Sequence, residues 1–321
     1  MTKRLNVGII YFGVVCLTLV LRIASSLDIY SVLGIDDADA FFTCVVQLAI
    51  FGFASLLPYC LCARKRGERA KTMFFDLGVR KVSLKNWLLV IPMCVCAIAV
   101  SSGISTVWQI ALRIVGFTHI SSPTDYDSIG VLFKDLALVA VLPGIFEEVA
   151  HRGLIYAGYR ECKWKFVLVS ALLFSLMHQN IVQTGYTFFF GATIALMMYY
   201  TQSIWPGIVL HVANNGFSVI SSYIDQNGGP FTFIVDIQNW FYSTVFGLIV
   251  GAILVFVCAG LLALFFFLMR KNCVKEERIS PVPFEMAEEG VKPLYKDIPF
   301  ILTVVMGVIA TLFSFVWGMT R

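Results

Sequence analysis

Long apolar runs alternate with short polar intervals along the whole chain. In order, the runs cover 5–26, 41–62, 87–117, 131–158, 166–178, 186–200, 205–222, 240–269 and 298–317. A helix needs about 17 to 25 apolar residues to cross a bilayer, so most of these predict membrane spans. The run 166–178 is too short for a full crossing and is expected to stop inside the membrane, or to meet a re-entrant turn at QNIVQTG, residues 179–185. The pattern predicts an all-α, polytopic integral membrane protein with about eight or nine transmembrane helices and a polar intramembrane cavity. Three segments are expected: N-terminal spans with a basic connector in 1–130, a catalytic core in 131–222, and C-terminal spans with a polar loop in 223–321.

Charge in the intervals gives a direction. Nearly all inter-span Lys and Arg follow the second, fourth and eighth runs, whereas the intervals after the first, third and seventh hold acids such as Asp28, Asp36, Asp37 and Asp39 and no base. The positive-inside rule then predicts a multi-pass protein of the cell membrane with a cytoplasmic N-terminus. The stretch 64–86 reads as an interfacial connector and 223–239, with Gly228, Gly229 and Pro230, as a loop.

Composition agrees with this picture and narrows it. Of 321 residues 59% are hydrophobic and only 14% charged, at a mean hydropathy of +0.83, which excludes a soluble globular domain. The net charge of +4 is accounted for by the inter-span bases, so no nucleic-acid partner is expected. Cys16, Cys44, Cys94, Cys96 and Cys258 lie inside apolar runs, where Cys acts as a small hydrophobe, and the Cys-x-Cys pairs at 60/62 and 94/96 lack zinc-site spacing.

Against that background FEEVAHRG, residues 146–153, stands out, because ionisable groups at membrane depth are costly and call for a purpose. Glu148 and Arg152 are four apart on a helix with the acid first, the favoured order for an ion pair. Glu147 points about 100° away and is the carboxylate left to face a cavity. His151, its i+4 neighbour, is read either as a tuning group or metal ligand, or as a packing residue. Two later segments add polar groups at helical spacing: Phe174 with His178, and His211 with Asn215. At 1.5 Å per residue these reach similar depths. A carboxylate, two imidazoles and an amide in one partly dry pocket suit hydrolysis of an amide bond. Glu147 would take a proton from water, His178 would orient that water, and His211 and Asn215 would donate to the oxyanion. Alternatively Glu147, His178 and His211 would hold zinc with a position open for water.

These three motifs, Glu-Glu-x-x-x-Arg, Phe-x-x-x-His and His-x-x-x-Asn, together with SIWPGIVLHVANN, resemble the CAAX-processing and bacteriocin-processing intramembrane proteases (CPBP, also called Abi) over 131–222. The resemblance implies a helical membrane protease with a conical cavity open to lipid, acting on prenylated CAAX proteins or membrane-associated peptides. It assigns Glu147 as general base, His178 as its partner in activating water, and His211 with Asn215 as oxyanion donors, with Glu148 and Arg152 orienting them. The family has been described both as zinc-dependent and as metal-free. His151 departs from the family pattern, which has an apolar or aromatic residue there. Two other classes compete: a catalytically idle scaffold or bacteriocin-immunity protein that binds peptides or sensor partners, and an ion or proton transporter.

Overall fold

In a computed structural model the chain folds as a bundle of helices, described for residues 2–27, 29–35, 37–118, 124–283, 285 and 290–319. Asp28, Asp36 and His119, which the sequence places in loops, lie outside the described residues. The helices are α1 (Lys3–Ser26), α2 (Ala38–Lys65), α3 (Ala70–Asp76), α4 (Leu84–Ile114), α5 (Ile129–Cys162), α6 (Lys165–Met177), α7 (Ile181–Thr201), α8 (Trp205–Asn227), α9 (Thr232–Ser243), α10 (Val245–Lys275) and α11 (Ile298–Met319). No strand occurs among the described residues. The protein is therefore an all-α, multi-pass membrane protein, with seven helices long and apolar enough to cross a bilayer among those residues: α1, α2, α4, α5, α7, α10 and α11.

Local chemistry sets the helix ends. Thr2, Asp37, Asn180 and Thr244 each accept a hydrogen bond from a backbone N–H in the first turn of the helix that follows. The Thr244 cap corrects the sequence reading of one span from 240 to 269: the chain leaves α9 at Ser243, turns extended at Thr244 and restarts as α10. The interval 223–239 is likewise mostly helical, shared between the end of α8 and α9, because only Gly228 to Phe231 interrupt it.

Packing gathers α1, α2, α5 and α6 around one apolar core and α4, α7 and α10 around a second, with α8 lying against α5 and α7 between them. Glycine permits close crossing of α5 and α8: a Cβ on Gly144 of α5 would lie 2.4 Å from the Val212 side chain and 3.1 Å from its backbone nitrogen on α8. The outer surface is apolar, with Val107, Phe256 and Phe267 more than half exposed, as a lipid-facing belt requires.

The two ends of the bundle differ. At one, Asp76 binds Lys3 and Arg160, Arg4 pairs with Asp297, and Arg80 and Arg278 hold the turn between α7 and α8 through Gln202 and the Thr201 carbonyl. Helix α6 starts at this charged end and, with 13 residues, rises only about 20 Å. It stops at a buried three-residue turn, His178 to Asn180, in which Gln179 adopts φ +49° and donates to the Val15 carbonyl midway along α1. The short run thus ends inside the molecule, and α7 starts at Ile181 so that most of QNIVQTG is helical.

Candidate active site

Three stretches of wide, π-type helix converge on one place: Val45–Ala54 in α2, and Leu136–Val141 and Val149–Leu154 in α5. Such stretches redirect side chains and loosen backbone carbonyls relative to a regular helix. One holds Gln47, the second the Val139 carbonyl, the third His151 and Arg152.

The pair expected from spacing is formed: Arg152 Nη1 donates to Glu148 Oε1 at 2.8 Å, with both side chains wholly buried. Arg152 Nη2 reaches the Gly191 carbonyl, and its guanidinium lies 4.2 Å from the centre of the Phe174 ring. Glu148 Oε1 also meets His211 Nδ1 at 2.8 Å. A carboxylate accepts, so Nδ1 carries a proton, and Nε2 is the nitrogen turned to the adjacent carboxylate. The space around Glu148 is closed by the lack of a side chain at Gly207, where a Cβ would sit 2.9 Å from Oε2. A charge this deep is tolerated only when paired, and removing one partner of such a pair costs about 3–5 kcal/mol.

Glu147 is placed differently. Its side chain keeps 13% of its surface, one oxygen accepts from Gln47 Nε2 at 2.8 Å, and the other lies 4.0 Å from His211 Nε2. His178 donates from Nδ1 to the Phe174 carbonyl at 2.8 Å, which leaves Nε2 with its lone pair.

Phe174 is the centre of the arrangement. Its ring stands edge-on to His151, His178 and His211, with centroids 5.0, 4.8 and 5.8 Å away. His151 occupies the far side of that ring, fully buried, with Nδ1 on the Tyr11 hydroxyl and its ring also against Phe51. Asn215 gives one amide hydrogen to the Val139 carbonyl at 2.9 Å and accepts from Asn214 at 3.1 Å, which keeps its second N–H for other use. The structure therefore brings Glu147, Glu148, Arg152 and His211 into direct contact and sets His178 and His151 around the same phenyl ring. Asn215 lies one turn beyond His211, tied to α5.

Among the described residues no three His, Cys, Asp or Glu side chains converge as a group able to hold a metal ion. Nδ1 of His178 and of His211 is bonded to a carbonyl and a carboxylate of the protein, and Nε2 is the nitrogen each ring keeps for another partner. No step below is routed through a metal.

Gln47 and Tyr11 are site residues that motif spacing misses, because each meets its partner across more than 90 positions of chain. A lone amide or phenol inside an apolar run was the available signal.

Residues 130–217 match the family model described as Rce1-like, type II CAAX prenyl endopeptidase. No curated protein and no solved structure matches the chain. The matched segment contains every residue of the three motifs, so over 130–217 the chain is similar to the Rce1-like, type II CAAX prenyl endopeptidase model.

Proposed function

We propose that the protein is an intramembrane endopeptidase that hydrolyses peptide bonds of membrane-associated or prenylated CAAX-type substrates by glutamate-activated water. The observation that carries this reading is the split between two adjacent acids: Glu148 is buried and paired with Arg152, while Glu147 is oriented by Gln47 and keeps one oxygen open beside His211. One carboxylate builds the site and the other is free to react.

Water held between Glu147 and the lone pair of His178 Nε2 loses a proton to Glu147 and attacks the scissile carbonyl carbon. As the C–O bond forms, charge gathers on the carbonyl oxygen, where protonated His211 and the second N–H of Asn215 donate to it. Collapse breaks the C–N bond, and the proton held by Glu147 passes to the departing amine. His211 serves as a donor only as imidazolium, because in the neutral ring its proton stays on Nδ1 toward Glu148. By the positive-inside rule, the charged end carrying Lys3, Arg80, Arg160 and Arg278 faces the cytoplasm.

The test compares membrane and released peptides from cells expressing wild type or Glu147→Gln at equal level. Defined products should appear with wild type and fall about 10²- to 10⁴-fold in the variant, the usual contribution of a general base. Identical peptide sets would sink the peptidase reading and leave the scaffold or immunity reading, which needs no free acid at Glu147.

A further inference from the structure

One cavity, of about 800 Å³, sits at the charged end and is lined by Arg4, Arg160 and Arg278, away from the site. A second, of about 510 Å³, lies in the opposite half of the bundle, between α4, α7, α8 and α9. Its wall is unusual for a membrane interior. Helix α4 contributes Ser101, Ser105 and Gln109 and α8 contributes Asn214, Ser218 and Ser222. Those spacings put each set on a single stripe of its helix, so two hydroxyl- and amide-bearing stripes face one space. Only Ile98, Val182 and Phe217 in the wall are wholly apolar, and no lining side chain carries a charge at neutral pH.

Two further observations point to an occupant. Ser101 is 3% exposed, and its hydroxyl, buried beside the cavity, has no hydrogen-bond partner. The cavity also adjoins the site: Asn214 donates to Asn215, and Asn180 follows His178 by two residues. A protease must hold its substrate extended at the scissile bond. In a membrane every unpaired backbone N–H and C=O costs several kcal/mol, so an extended segment needs a wall of neutral donors and acceptors. Hydroxyls and amides supply both. The volume falls within the usual ligand-site range of about 300–1,000 Å³, or on the order of 15 waters at liquid density.

Building on the peptidase reading, we infer that this cavity is a binding site for an uncharged polar peptide stretch flanking the scissile bond, filled with water when vacant and open toward the end remote from the charged cluster. Charged side chains are excluded, because the wall offers them no counter-ion.

The experiment introduces Ser105→Cys, Ser218→Cys and, as a lipid-facing control on α4, Val107→Cys into the full chain. Opened membranes are treated with a charged maleimide, and modification is read at each site by peptide mass spectrometry. Val107 is 68% exposed and outside the cavity wall. Thiolate is the reactive form, and each unit by which an apolar setting raises a thiol pKa removes about tenfold of it. The cavity thiols should therefore react at least about tenfold faster than the control. An acetylated, amidated Gly-Ser-Asn-Ser-Gly peptide should slow them, and the same peptide with Lys at its centre should not. Equal rates at all three positions would overturn the hydrated cavity. Fast rates that neither peptide changes would overturn peptide binding and leave a water channel only. The labelling does not depend on turnover, so protection persisting where Glu147→Gln leaves cellular peptides unchanged would refute the peptidase reading while sustaining the cavity.

Discussion

In the proposed mechanism, Gln47 decides how useful Glu147 is. Its amide fixes one carboxylate oxygen at 2.8 Å and so aims the other at His211. A hydrogen bond to a charged group contributes about 1.5–3 kcal/mol, so Gln47→Leu should lower kcat by roughly ten- to a hundredfold with little change in KM. Steady-state kinetics on a cleaved peptide would check this, and a rise in KM at constant kcat would mean Gln47 acts on substrate binding. Spacing along the chain reveals the Glu148–Arg152 pair, His178 and His211, because helical periodicity brings i and i+4 together. It cannot reveal Gln47, whose partner is far away in sequence. Nor does it reveal that Asn215 spends one hydrogen on the Val139 carbonyl, since that acceptor is exposed by a π-type stretch that a 3.6-residue period does not describe.

At the scale of elements, α3 is held by one acid. Asp76 is buried in the connector, which alone would raise its pKa, but the hydrogen bonds and charges of Lys3 and Arg160 outweigh burial and hold it below the usual carboxylate range. A depressed carboxylate stabilises above its unfolded pKa of about 3.9 and loses that stabilisation as pH falls through the lower folded value. Hydrogen exchange in Ala70–Asp76, corrected for its intrinsic pH dependence, should thus be slow at pH 7 and quicken below about pH 4. Asp76→Asn should show the fast regime already at pH 7; slow exchange in that variant would mean that apolar contacts such as Met73, not the ion pairs, hold the helix. The connector was legible from its eight bases within 64–86, but its docking was not, because Asp76 meets bases that lie 73 and 84 positions away. The break at Thr244 was hidden by the apolar residues on both sides of it, although Thr as a helix cap was there to read.

For the whole molecule, the segregation of charge is the strongest organising feature. The N-terminal residues, the connector, the α5–α6 and α7–α8 turns and the end of α10 meet at one end through the ion pairs of Asp76 and Asp297 and the hydrogen bonds that join Gln202 to Arg80 and Arg278. This is the parity that alternating basic and acidic intervals predict, and it holds only because α6 and α7 together make one excursion and return. Reporter fusions after Gly67 and after Arg278 should report the cytoplasmic face, and one after Gly229 the opposite face; the reverse pattern would overturn the orientation proposed above. Helix α8, 23 residues long, falls outside the strongly apolar set although its length would suffice to cross, and it carries His211, Asn214 and Asn215.

The brevity of α6 bears on how the protein is made. A ribosome that has reached residue 180 has produced a 13-residue apolar helix that lipid alone would not retain, followed by a polar turn. Only when α7 emerges can the two enter as a hairpin and carry His178 to its depth. The order of synthesis therefore makes α7 the element that carries this histidine to the depth of the acids of α5.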